Sequence, residues 1–170
     1  PDHRIGLRHI TRIGNLALLN IHGSTVNAAK WWHEYAVGDV ISYDAIKDAV
    51  DILNNTADIS TVVVSFSTGG GSALGIDSVT RSLKSLALNK NVVGHTATGS
   101  FSAGYWMMSS LPKIFGEKLA EVGSIGVMLA IPDYSEMLAK EGITVHLFKA
   151  GREKAYGFEY TEFTEEEKAA

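Results

Sequence analysis

Cysteine is absent from the 170 residues, which excludes disulfides, thiolate nucleophiles and cysteine-based zinc sites together. No apolar run reaches the ~18 residues that a membrane-spanning helix needs, and Pro1-Asp2-His3-Arg4 shows no signal peptide. Basic clusters are missing too. Lys and Arg number 15 against 19 Asp and Glu, a formal net charge of −4, so no nucleic-acid partner bound through its phosphates is expected. What is present is ordinary for a globular chain, with 45% apolar and 20% charged residues. At roughly 100–200 residues per domain, the length predicts one domain over 1–170 with a proper core. The sequence lacks a starting Met and ends inside a helix signal, so truncation at both ends is expected.

Two residue periods alternate along the chain. Asn15 to Gly23 is short, apolar and stopped by Gly, which predicts a buried strand. Residues 24–41, with Trp31, Trp32 and Tyr35, have no clean period and read as a loop. Ile46, Ala49, Val50 and Leu53 then fall at helical spacing behind Ser42, a candidate N-cap. Thr61 to Phe66 is a β-branched central strand, followed by Gly69-Gly70-Gly71 and a helix with Ile76, Val79, Leu83 and Leu86 on one face. Further strands are predicted near Asn91–His95 and Ile143–Phe148, and Val122–Met128 reads as a strand or as a Gly-rich turn into one. Helices are expected from Ser102, from the Asp133/Glu136 cap to Gly142, and from Thr164. Such alternation predicts an α/β domain with a largely parallel sheet.

Three groups of residues could carry chemistry. Gly69-Gly70-Gly71 lies between a strand and a helix, where it can form a tight turn, an oxyanion site or a phosphate loop; neither G-x-G-x-x-G nor a Walker lysine supports the last. Ser102, in Gly99-Ser100-Phe101-Ser102-Ala103-Gly104, can be a helix cap or a nucleophile on a sharp turn, although Ser100 stands where such an elbow favours Gly. Small neighbours there would admit a substrate backbone. A nucleophilic hydroxyl needs a base. The order Ser102, Asp133, His146 mimics a hydrolase triad; Lys149 and Lys154 offer the alternative of an amine. A free lysine, pKa ~10.4, is protonated at neutral pH, and service as a base near ~7 needs about 4–5 kcal/mol of differential desolvation.

Taken in order, four segments resemble the signal peptide peptidase A family of Ser–Lys proteases, including its phage capsid-assembly branch. Phe66-Ser67-Thr68-Gly69-Gly70-Gly71 is similar to the family's Asn-Ser-Pro-Gly-Gly, and Ser102-Ala103-Gly104-Tyr105 to its Ser-Gly-Gly-Tyr nucleophile segment. Gly123-Ser124-Ile125-Gly126-Val127 matches Gly-Ser-(Ile/Leu)-Gly-Val, and Lys149-Ala150-Gly151-Arg152-Glu153-Lys154 matches Lys-Ser-Gly-x-x-Lys. Lys154 follows Ser102 by 52 positions, as the family's base follows its nucleophile. Phe66, Thr68, Ala103 and Ala155 depart from the pattern, standing for Asn, Pro, Gly and Asp. Ser-Ala-Gly at the nucleophile and Val127-Met128 lean toward the lambda-like phage branch.

The resemblance implies a Clp/crotonase-like spiral of β-β-α units and a serine peptidase without metal or organic cofactor. Ser102 would be the nucleophile and Lys154 the base, with the oxyanion held by the amides of Gly69 and Ala103 and substrate bound along Gly70 and Gly71. It further implies protein substrates, namely capsid scaffold and head proteins cut inside a phage prohead in the host cytoplasm. It also implies a homo-oligomeric ring whose sites can be shared between subunits. Two alternatives stand beside it. One is a bacterial cell-envelope peptidase that degrades cleaved leader peptides; the other is a crotonase-like acyl-CoA enzyme using the same paired amides.

Overall fold

Apolar residues at every second position build the central strands. The computed structural model describes residues 6–27, 39–151 and 153–169, and the chain divides into two compact units, Pro1–Val127 and Met128–Ala170. In the first, a 3-10 turn (Gly6–His9) precedes β1 (Ile10–Ile13), β2 (Leu16–His22), β3 (Ser24–Val26), β4 (Val40–Ser42) and α1 (Tyr43–Asn55). There follow β5 (Thr61–Thr68), α2 (Ile76–Asn89), β6 (Asn91–Phe101), α3 (Ala103–Ser109), β7 (Ile114–Gly116) and β8 (Glu121–Gly123). The main sheet has the order β1-β2-β5-β6-β7, with β8 also paired to β6. Only β1 against β2 is antiparallel; the remaining pairs are parallel, as expected of strands joined by helices. A small parallel sheet joins β3 to β4, and Thr25 of β3 also bridges Gly71.

Burial alternates residue by residue along β2 and β5, the signature of strands covered on one face. Ala17, Leu19 and Ile21 with Val62, Val64 and Phe66 form one core with the apolar stripes of α1 and α2. Those stripes are the expected ones: Ile46, Ala49, Val50 and Leu53, then Ile76, Val79, Leu83 and Leu86. The Ser42 hydroxyl accepts from Ala45 N at 3.2 Å, the expected N-cap, a bond typically worth ~1 kcal/mol.

Differences from expectation have local causes. β6 runs past His95 to Phe101 because it pairs successively with β7 at Gly94–Thr96 and β8 at Gly99–Phe101. The expected loop 24–41 contains β3 and β4, which find each other as a pair too short to show a period; Trp31, Trp32 and Tyr35 lie outside the described residues. The strand expected over 122–128 stops at Gly123, where its register on β6 ends.

The second unit carries α4 (Ser135–Lys140) and α5 (Glu165–Ala169). Asp133 opens α4, its carboxylate accepting from Ser135 N at 2.9 Å and Ser135 Oγ at 2.6 Å. Those bonds hold the carboxyl below the usual carboxylate range. Gly142, at φ 71°, lies just beyond its end. At α5, Glu167 accepts from Thr164 N at 2.7 Å while Glu167 N donates to Thr164 Oγ1 at 3.3 Å, a reciprocal capping box. Residues 143–148, expected as a strand, belong to no ladder among the described residues. Alternation extends a segment, but a strand also needs a neighbouring edge.

One lysine ties the end of α2 to the loop after α1. Lys90 Nζ donates to Thr56 O at 2.9 Å and to Ile59 O at 2.8 Å. Lys90→Met removes both donors from part-buried carbonyls, a loss of about 1–3 kcal/mol. The expected outcome is a melting temperature lower by about 3–10 °C, measured by circular dichroism, with the reactivity of Ser102 unchanged.

Candidate active site

β6 delivers Ser102 to a sharp turn before α3. Its backbone sits at φ 50°, ψ −123°, a region that costs a non-glycine residue about 1–3 kcal/mol and persists only where surroundings impose it. Here Ser102 N donates to Gly123 O at 2.8 Å, and Ser102 O accepts from Trp106 N at 2.9 Å. The side chain makes no capping bond to the helix it precedes. Ser102 therefore stands at the N-cap position without serving as a cap, and its partly exposed hydroxyl is left for other work.

Ser100 does not prevent the elbow. It is fully buried, and its Oγ has no hydrogen-bond partner among the described residues. Room comes from Gly104: a Cβ there would stand 3.2 Å from Ser100 Oγ and only 2.3 Å from Thr68 Cγ2. The small residues expected to admit a substrate backbone thus also serve packing beneath the turn.

The glycine turn lies directly against this elbow. A Cβ on Gly70 would fall 2.6 Å from Ser102 Cβ, 2.7 Å from Phe101 O and 3.0 Å from Ala103 N. Gly70, at φ 94°, is accordingly needed both for its conformation and for the approach. Its own polar groups are used internally, Gly70 N donating to Thr68 Oγ1 at 3.0 Å and Gly70 O accepting from Thr25 N at 2.9 Å. Gly69 is exposed, with no atom within 4 Å of a Cβ built on it, and Gly71 forms the bridge to Thr25. Tyr43 secures the far side of the turn: its buried hydroxyl donates to Ser72 O. Ala103 is buried as the first residue of α3, where an amide has no carbonyl one turn back.

Ser102, Gly69, Gly70, Gly71 and Ala103 are brought together in the first unit. Lys149, Lys154, Asp133 and His146 belong to the second. Lys154 is exposed in a turn where Tyr156 N donates to Glu153 O at 3.1 Å. Asp133 is engaged with Ser135 as the opening of α4, and His146 is exposed outside any ladder. No three His, Asp or Glu side chains gather into a metal-binding group among the described residues.

Sequence reading missed a cavity of about 280 Å³ beside Ser102, walled by Tyr105, Trp106, Ser109, Ile125 and Val127. Ser109 on its wall donates its hydroxyl to Trp106 O at 3.0 Å, and the surface lining the cavity is mostly apolar. Part of the signal lay in α3, where Tyr105, Trp106 and Ser109 share the side next to Ser102; the wall from Ile125 and Val127 had none.

Architecture alone gives the class. A crystal structure of an enoyl-CoA hydratase/isomerase family member superposes with TM-score 0.52 at 15% identity, covering 79% of this chain and 52% of that one. The fold is thus that of the crotonase and Clp-like proteins. The profile of peptidase family S49 matches residues 84–170, just over half of the sequence, and the chain belongs to that family. It is 30% identical over 143 residues to a protein of Methanocaldococcus jannaschii named as a protease, covering 81% of this chain and 46% of that protein. The chloroplastic serine protease SPPA of Arabidopsis thaliana is 25% identical over 115 residues, 68% of this chain and 17% of that one. The chain spans less than half the length of either relative.

Gly70→Ala should displace Ser102, since no rotamer change moves a Cβ away from a backbone carbonyl at 2.7 Å. The expected result is a loss of about 1–3 kcal/mol in stability and labelling of Ser102 by a fluorophosphonate slowed by at least about 100-fold. Denaturant titration and intact-mass kinetics measure the two.

Proposed function

We propose that this chain is the catalytic part of a serine endopeptidase with a Ser102–Lys154 dyad. The observation that carries the reading is Ser102 itself, held in a strained turn with its hydroxyl uncommitted and a glycine turn against its Cβ. Ser102 Oγ attacks the scissile carbonyl while the neutral Lys154 amine accepts its proton. The oxyanion then faces the amides of Gly69 and Ala103, where one donor is typically worth about 2.7–4 kcal/mol. The protonated amine next gives its proton to the leaving nitrogen, and water releases the acyl group by the same steps. The cavity beside Ser102 receives the side chain on the acyl side of the bond and favours a large apolar one.

For the biological role, we assign the chain to phage capsid assembly, cutting scaffold and head proteins in the prohead within the host cytoplasm. Support comes from Ser102-Ala103-Gly104 and from Val127-Met128, which resemble the phage branch. The second reading, degradation of leader peptides at the bacterial envelope, is favoured by the broader signal peptide peptidase A resemblance. Portal and major capsid genes beside this one decide for the first; their absence decides for the second. An acyl-CoA enzyme is disfavoured, because it would have no use for a strained serine or for Lys154. The active unit is a homo-oligomer, in which a neighbouring subunit can supply the apolar wall that a lysine base requires.

Ser102→Ala should abolish cleavage with the fold retained, and fluorophosphonate adducts should map to Ser102 alone. Lys154→Ala and Lys154→Arg should both be inactive, because a guanidinium does not deprotonate in this range; a dead His146→Ala with an active Lys154→Ala would instead establish the triad. Mixing the Ser102→Ala and Lys154→Ala proteins under subunit exchange should restore part of the activity if sites are shared. Among fluorogenic peptides, those with Leu, Met or Phe before the scissile bond should be cut about tenfold or more faster than those with Asp or Lys.

A further inference from the structure

Thr68 stands where the family pattern has proline, and its surroundings give that departure a purpose. The residue is the last of β5 and is buried, 5% exposed. Its hydroxyl is used twice. Thr68 Oγ1 donates to Gly23 O at 2.6 Å and accepts from Gly70 N at 3.0 Å. Gly23 in turn donates its N–H to Ser67 O at 3.0 Å, so the bend between β2 and β3 and the end of β5 are locked to each other. The other branch of the side chain points the opposite way in function. Thr68 Cγ2 occupies the space against Gly104, where a Cβ would come within 2.3 Å of it, in the first turn of the helix that follows Ser102.

A single side chain therefore touches both arms of the site. The hydroxyl accepts from Gly70 N and so fixes the plane of the Gly69–Gly70 peptide, while the methyl packs against Gly104. Proline could supply the fixed backbone angle at this position but neither the donor nor the acceptor. We infer that Thr68 is a positioning residue for the proposed hydrolysis: by holding Gly70 N and Gly23 O its hydroxyl fixes the glycine turn in which the Gly69 amide faces the oxyanion, and threonine does by hydrogen bonding what a proline ring does by constraint. This rests on the reading of Ser102 as nucleophile and the Gly69 amide as an oxyanion donor.

The test compares Thr68→Val, Thr68→Ser and Thr68→Ala in the full chain. Val keeps the shape and removes both hydrogen bonds, whereas Ser keeps the hydroxyl and removes the methyl. With an apolar fluorogenic peptide, Thr68→Val should lower kcat by about tenfold or more with KM within about threefold, because an oxyanion interaction is made in the transition state. Thr68→Ser should keep kcat within about threefold of the parent, even where its melting temperature falls. A peptide aldehyde, which mimics the tetrahedral state, should lose affinity for Thr68→Val in the same proportion as kcat. Should Val fail to fold, the pair Ser and Ala decides in its place, with kcat retained in the first and lost in the second. Equal kcat for variants with and without the hydroxyl, or a change confined to KM or to melting temperature, overturns the inference. Fluorophosphonate labelling of the parent protein separates the two levels. Absence of a Ser102 adduct there removes the reading of the nucleophile, while an adduct together with an unaffected Thr68→Val removes only the role of Thr68.

Discussion

The site depends on one close approach, that of the bare Gly70 backbone to the Ser102 turn. A serine at φ 50°, ψ −123° is unstable by itself. It persists because β6 ends in register with β8, because α3 starts at once, and because nothing projects from Gly70 into its place. Remove any of the three, and the serine can relax to the extended backbone that an ordinary strand end prefers. The strained turn at Ser102 is thus produced by its neighbours as much as by the residue itself.

The glycine turn is in turn fixed from the small sheet. Thr25 bonds both sides of it, its N–H to Gly70 O at 2.9 Å and its O from Ser72 N at 2.9 Å, while its neighbours pair with β4. Tyr43, fully buried at the start of α1, reaches Ser72 O, and burial pushes its phenol upward, so it remains a neutral donor at physiological pH. The glycine turn is therefore anchored to β3 and to α1, two elements remote from it in sequence. This arrangement suits a site that needs fixed dipoles rather than mobile ones.

Much of this was legible in the residues. Periodicity found β2, β5, α1 and α2, because each buries one face and the helices show a 3.6-residue repeat. Ser42 was found as a helix cap because its chemistry is local, whereas the cap expected of Asp133 and Glu136 differs: Tyr134 holds the cap position without a side-chain bond, and Asp133, one residue before it, bonds Ser135. What escaped was non-local. β3 and β4 exist through each other, Thr68 is meaningful only when Gly23, Gly70 and Gly104 are seen around it, and residues 143–148 alternate without meeting a partner edge among the described residues. The Ser102 cavity needed Ile125 and Val127 beside α3, a proximity that no spacing encodes.

The outer edge of the main sheet has a further consequence. β6 is eleven residues long, yet its outward side is taken by two separate three-residue strands, β7 at Gly94–Thr96 and β8 at Gly99–Phe101. Lys113, Glu117, Lys118 and Glu121 punctuate them, while Phe115 and Val122 are 59% and 50% exposed. A long, flat edge with those apolar residues would template pairing between molecules. Broken in the middle and flanked by charge, this edge offers an incoming strand only three residues before the register fails. The interruption between β7 and β8 therefore works against edge-to-edge pairing between copies of the chain.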